Sequence, residues 1–461
     1  MEMASCFLCG SAIRDITPTV ENGVLPMPVG FSASNRPLTC VHDPLNLRVI
    51  ALGDAHRRLL LVSMDVVNLD ASYYGPVLSA HTGLPENAIF FIETTAHSTI
   101  RAGAGARNGT DPEGLAKHAR YTLLVKEQML AAADEALHSM KAAKVGIGRA
   151  ESYVNVNRYA DFTVRDETGA HSYCNVGFHP PGPSDHTAAV LRFEDRDGVP
   201  IAFLINYAVF NVVMADNIGS ADGGGAISAD LAGYVSTQME RRYAGAVSMW
   251  CGGAGCDQNP IMAAKMGYPD PDGGKRYIEF GPEACDAILT YLGQIHYTDI
   301  LRAAERIEKV MVPEFVKYHY DTIEIPARRQ LVDPVEENRF VKIRYQENGV
   351  RNLHLAMIRL GEIAIVLHSG GIFSEIGMEM KQKSLLKDTL IVTGFVNSVT
   401  PFDGVICDDD TLRRGGHDAG KAKHQPGFAA SALVLLENKM IRATDSAPYY
   451  AETLAWSGDM D

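Results

Sequence analysis

The sequence predicts an α/β protein of mixed sheets flanked by helices. Three observations carry this. Short apolar, β-rich runs alternate with long helical stretches along the chain. Two adjacent apolar runs are joined by a hairpin signal, so the strands are not all parallel. The chain of 461 residues, 46% hydrophobic and 21% charged, has the make-up of an ordinary globular protein able to bury a large core.

In chain order, RRLLLVSMDV (58–67) predicts a buried strand ending at Asp65, and AIFFIETT (88–95) another that stops just before His97. Residues 114–142 are periodic, rich in Ala, Leu, Lys and Glu, and predict a helix. TAAVLRFE (187–194) and PIAFLINYAVF (200–210) flank Asp197-Gly198, a hairpin turn. Residues 229–242 predict a helix, 246–252 a strand entering a Gly-rich turn, and 283–309 a further helix. EIAIVLHSGG (362–371) and TLIVTGF (389–395) predict late strands. The best candidate break lies near 311–335, but residues 1–461 are expected to form one unit.

The charge of −14 argues against nucleic-acid binding, which needs a basic face, and against docking on anionic membranes. The N-terminus lacks a secretory pattern and no run of eighteen apolar residues occurs. The eight scattered cysteines read as reduced thiols, Cys6 and Cys9 as packed thiols despite their CxxC spacing. A cytoplasmic location and a small-molecule substrate are expected, and homo-oligomer formation is left open.

Polar clusters follow the predicted strands, where ligand sites of α/β proteins lie. His97, in Glu93-Thr94-Thr95-Ala96-His97-Ser98, is a candidate general base or metal ligand, or alternatively a core histidine. In Cys251-Gly252-Gly253-Ala254-Gly255-Cys256-Asp257, glycines can present backbone N–H groups to an anion. Cys256 and Asp257 are candidate catalytic groups there, the alternative being a tight turn with a buried thiol. Asn157, Arg158 and Asp230 are candidate substrate-binding residues, with Asp230 also placed to cap a helix. His417 precedes Asp418 in a Gly-rich segment and is a candidate metal ligand. No Walker loop, GxGxxG, HExxH or GxSxG motif is present.

Several stretches, taken in order, resemble the N-terminal catalytic domain of neutral/alkaline non-lysosomal ceramidases. They include AIRDITP (12–18), LLLVSMD (59–65), TTAHS (94–98), VNR (156–158), ISADLAGY (227–234), GAGCDQNP (253–260), SGGIFSEIG (369–377) and GGHDAG (415–420). The resemblance implies a neutral-ceramidase-like domain without the family's C-terminal immunoglobulin-like domain. It also implies zinc-assisted amide hydrolysis, yet the ligand positions depart. His97 is kept, but a second ligand position falls on Phe210, the Glu position on Gly371 and the Tyr position on His417. A family serine falls on Gly253 or Gly252. A zinc or other divalent ion would therefore need His97, His417 and a neighbour, for which His368 is the natural candidate and Asp222 and Asp230 are others. The expected function is a hydrolase of a small polar amide or ester rather than ceramide. The alternatives are a metal-free acid–base enzyme acting on a carbohydrate and a non-catalytic binding protein.

Overall fold

A computed structural model describes residues 7–54, 57–103, 105, 111–167, 169–220, 222–270, 274–331, 344–415 and 417–446. Four layers stack as helices, a large sheet, a smaller sheet and helices. The large sheet runs in the order Val247–Gly252, Pro200–Tyr207, Thr187–Asp195, Lys141–Glu151, Leu8–Asp15, Asn46–Gly53, Arg58–Met64, Ile89–Glu93 and Phe395–Val396. The smaller sheet runs Val316–Leu331, Arg344–Leu360, Ile363–Leu367 and Asp388–Val392.

Alternation along the strands dictates this stacking, because successive side chains point to opposite faces. Val49, Ala51, Leu60 and Val62 pack under the Pro112–His138 helix with its Tyr121, Val125 and Met129. Their neighbours Ile50, Leu52, Leu59 and Leu61 point the other way, onto Ile358, Ile365 and Leu390 of the smaller sheet. On the helical side the core continues between Phe203, Ile205 and Trp250 and the helices Asp230–Arg242 and Pro282–Glu305. The outer face of the smaller sheet, with Leu355, Met357 and Val366, is covered by the helices Ser374–Lys383 and Ala429–Ser446. Both sheets are thus buried on both faces, as mixed sheets of apolar strands require.

The hairpin at Asp197-Gly198 forms as expected, Gly198 taking a φ of 83° in the turn. The helix predicted over 114–142 ends earlier, at His138. Lys141 and Ala142 instead pair with Cys9 and Leu8, so sheet pairing overrides their helix propensity. The candidate break near 311–335 is largely the strand Val316–Leu331, half of a long hairpin; residues 332–343 of its tip lie outside the described residues. Cys6 also lies outside them; Cys9 is buried in the large sheet, and burial raises its thiol far above its ordinary range. The seven described cysteines are free thiols. Among the described residues no helix is long and apolar enough to cross a membrane.

Within the two main sheets three described pairs of strands are parallel: Arg58–Met64 with Ile89–Glu93, Pro200–Tyr207 with Val247–Gly252, and Ile363–Leu367 with Asp388–Val392. The chain leaves five of these strands into one cleft, through Thr95, Val209, Gly253, Ser369 and Thr393. Close helix–sheet packing holds this frame. A Cβ on Gly148 would lie 2.0 Å from the Ala303 carbonyl oxygen on the Pro282–Glu305 helix. Gly148→Ala should therefore lower the unfolding free energy by about 2 kcal/mol, read as a lower urea midpoint.

Candidate functional site

The cleft has a volume of about 1200 Å³. His97, Arg158, Phe210, Cys256, Gly371 and His417 all line it, so residues far apart in sequence meet there.

His97 follows the strand Ile89–Glu93 through Thr95, whose φ of 56° is unusual for a β-branched residue. This backbone lets the His97 Nδ1–H donate to the Thr95 carbonyl over 2.7 Å, and the His97 amide donate to the Asn211 carbonyl. The Nε2 lone pair is thereby left for the cleft. Burial lowers the imidazole pKa, and the charges of Arg158 and Lys421 lower it further, so His97 is neutral at physiological pH. Glu93 lines the same wall; burial raises its carboxyl to about 7 although it accepts from the Leu69 amide.

Asp418 organises the opposite wall. Its buried carboxylate accepts from Arg158 Nη2 at 2.6 Å, from Lys421 Nζ at 3.1 Å and from the Tyr159 hydroxyl. Burial alone would raise this carboxyl; the Arg158 and Lys421 charges outweigh it and hold the pKa at about 2. Arg158 also sits over the Phe210 ring, 4.5 Å from its centroid.

Four of the residues singled out in the sequence lie behind the cleft. Asp257, expected as a catalytic group, does not line the cleft: its carboxylate accepts from the Ser374 amide and hydroxyl and from Asn157 Nδ2, tying the Gly-rich turn to the helix Ser374–Lys383. Asn157 spends its amide on Asp257 and the Pro183 carbonyl. Asp230 accepts from the Val213, Met214 and Leu231 amides and fixes the turn after Phe210 to a helix start. His368 is fully buried, its Nδ1 accepting from the Gly370 amide and its Nε2 facing Asp403 at 3.5 Å. Cys256 does line the cleft, but burial, with Asp418 and Asp257 adding to it, raises its thiol pKa and so disfavours the thiolate that the expected nucleophile role needs.

Glu93, Lys421, Arg328 and Arg351 were not singled out, yet all four line the cleft. Only Glu93 left a signal: a carboxyl at the end of the apolar strand IFFIE.

With the geometry established, known structures can be compared. A crystal structure of neutral ceramidase from Pseudomonas aeruginosa matches with a TM-score of 0.68, over 95% of this chain and 75% of that one, at 13% identity. A ceramidase complexed with C2 matches with a TM-score of 0.68, over 96% and 75% of the chains, at 12% identity. The fold is neutral-ceramidase-like. No family model matches the sequence, and no curated protein matches it. The share of the ceramidase covered agrees with an N-terminal-domain-like fold.

The zinc implied by the resemblance does not fit the residues present. No group of three or more His, Cys, Asp or Glu among the described residues is placed to hold a metal ion. A Cβ on Gly371 would lie 2.4 Å from Cys256 Sγ, so the thiol fills the space into which a side chain at 371 would extend. His417 Nε2, the other expected ligand atom, accepts from the Lys421 ammonium at 2.7 Å. His97, His417 and His368 therefore do not form a shared site, and Arg158 over Phe210 adds a positive charge of its own.

Asp418→Asn leaves Arg158 buried without its counter-ion and should cost about 3 kcal/mol of stability at neutral pH. The folded-state pKa of about 2 lies below the ordinary 3.8, so this stabilisation is present above pH ~4 and lost as pH falls toward 2. Acid titrations of urea stability should show that loss in the parent protein and not in the variant.

Proposed function

We propose that the chain is a hydrolase that cleaves a small polar amide or ester in this cleft, with His97 as general base. The orientation of His97 carries the reading: its Nδ1–H is committed to the Thr95 carbonyl, and its partly buried ring offers a neutral Nε2 to the cleft. In the proposed step Nε2 takes a proton from water as the water oxygen attacks the substrate carbonyl. Negative charge builds on the carbonyl oxygen, and Arg158, whose buried Nε has no partner among the described residues, supplies a donor toward it. The proton passes to the leaving amine or alkoxide as its bond to carbon breaks. Glu93, with a pKa near neutrality, is the second group able to carry that proton.

The carbohydrate alternative draws less support. Glycoside cleavage ordinarily uses two carboxyl groups flanking the bond. Of the three described carboxyls lining the cleft, Asp418 is tied to Arg158 and Lys421, and Asp403 to His354 and Arg351, leaving Glu93 alone. The missing fit to zinc directs the reading to the chain's own base rather than to metal-activated water.

A panel of small amides and esters tests this. His97→Asn should lower kcat on the preferred substrate at least about 100-fold. In the parent, kcat/KM should rise with pH through a limb below the ordinary imidazole value of 6.5, as His97 loses its proton. If protonated Glu93 donates to the leaving group, activity also falls above about pH 7, and Glu93→Gln removes that limb. Undiminished turnover in His97→Asn would overturn the assignment.

A further inference from the structure

Within a chain of net charge −14, the cleft gathers six cationic side chains: Arg158, Arg328, Arg329, Arg351, Lys421 and Lys423. Among the described residues three carboxyls line it: Glu93, Asp403 and Asp418. Such an excess is costly to assemble in a partly enclosed space unless something of opposite charge enters.

Arg328 and Arg351 stand out, both on the long hairpin. Arg328 is 6% exposed, and no ion pair joins it to a described carboxylate. Its guanidinium instead lies 3.5 Å from the Tyr345 ring centroid and donates to the Ala419 and Ala422 carbonyls. The register of the hairpin shifts between Pro326 and Arg328, a bulge of the kind that re-aims a side chain. Arg351 donates through Nη2 to the Asp403 carbonyl at 2.7 Å and lies 3.4 Å from the Asp403 carboxylate, while its Nη1 is buried without a partner among the described residues. A buried guanidinium with spare donors is unfavourable on its own and suited to a planar or tetrahedral oxyanion. The surrounding histidines sense the same field. His424 is held at about 4, by burial first and then by the Arg328 and Arg351 charges. His97 and His417 are lowered by burial, with Lys421 and Arg158 contributing to both.

Resting on the reading of the cleft as the active site, we propose that its substrate carries an anionic oxygen group, a carboxylate or a phosphate ester, and that Arg328 and Arg351 bind it. The neutral amide or ester bond would lie at the His97 end, and the anion would supply recognition through the bulged hairpin. Net negative charge elsewhere on the chain favours rejection of anions except at this focus.

Isothermal titration calorimetry of the full chain with inorganic phosphate and with succinate tests this. Saturable binding of either is expected, weakened about tenfold by Arg328→Gln and by Arg351→Gln. Arg302→Gln, on the exposed side of a helix, should leave it unchanged, and Arg328→Lys should retain more of it than Arg328→Gln. Phosphate alone binding assigns a phosphate ester, succinate alone a carboxylate, and both a site for either group. No binding of either below about 10 mM, or equal binding by the parent and both Gln variants, would overturn the proposal. His97→Asn separates the two readings. It should abolish turnover while leaving anion binding intact, whereas full turnover with intact binding removes the base assignment and keeps the anion site.

Discussion

Everything in this molecule depends on one constraint: each sheet is apolar on both faces and must be covered on both. The alternation of Ile50, Leu52 and Leu61 with Val49, Ala51 and Leu60 leaves no wet face on the large sheet. Polar chemistry is thereby displaced to strand ends, and the three parallel strand pairs deliver those ends to one place. The cleft is thus a consequence of sheet burial. The turns that form part of its wall are fixed from behind, where Asp257 and Asp230 accept from backbone amides. Buried turns expose amides that need acceptors, and a carboxylate satisfies two or three at once.

The same constraint accounts for what the strand ends hold. Three residues where the resemblance implies zinc ligands have changed in compatible ways. Phe210 offers a ring to Arg158, Gly371 leaves room for the Cys256 side chain, and His417 accepts from Lys421. Restoring one ligand would not restore the site, because each neighbour has filled the space or taken the lone pair. A glutamate at 371 would meet Cys256, and a metal at His417 would have to displace an ammonium.

Much of the fold was legible because its signals are local. The buried strands, the Asp197-Gly198 turn and the helices after Asp111 and Gly281 follow from periodicity and turn chemistry. The error at 139–142 arose where Lys and Ala favour helix locally and a distant strand, Leu8–Asp15, overrides them. The site was legible in part. His97, Arg158 and His417 lie in motif-like segments and reach the cleft. Arg328 lies in the stretch read as a candidate break and Arg351 in a segment with no motif, and the pairing of two strands and a bulge brings them in. Asp257 and Asn157 sit in a segment that resembles a site, yet their hydrogen bonds are spent beneath it. Sequence marks polar residues near strand ends; which of them face a ligand is set by hydrogen-bond geometry several residues away.

The cations and the proposed base make one electrostatic arrangement. A positive field around an imidazole disfavours its protonated form, so Arg158 and Lys421 help keep His97 ready to accept a proton at neutral pH. Arg158 and Lys421 also neutralise Asp418, whose uncompensated charge would raise the pKa of His97 and favour a cationic ligand instead. A bound anion would partly reverse this effect on any histidine it approached. Arg328, which pairs with no described carboxylate, sits on the long hairpin and acts on His424, so in the proposed arrangement ligand charge is met on a different element from the one that carries His97. Recognition and proton transfer can then occupy one cleft without opposing each other, provided the anion and the scissile bond belong to different ends of the same molecule.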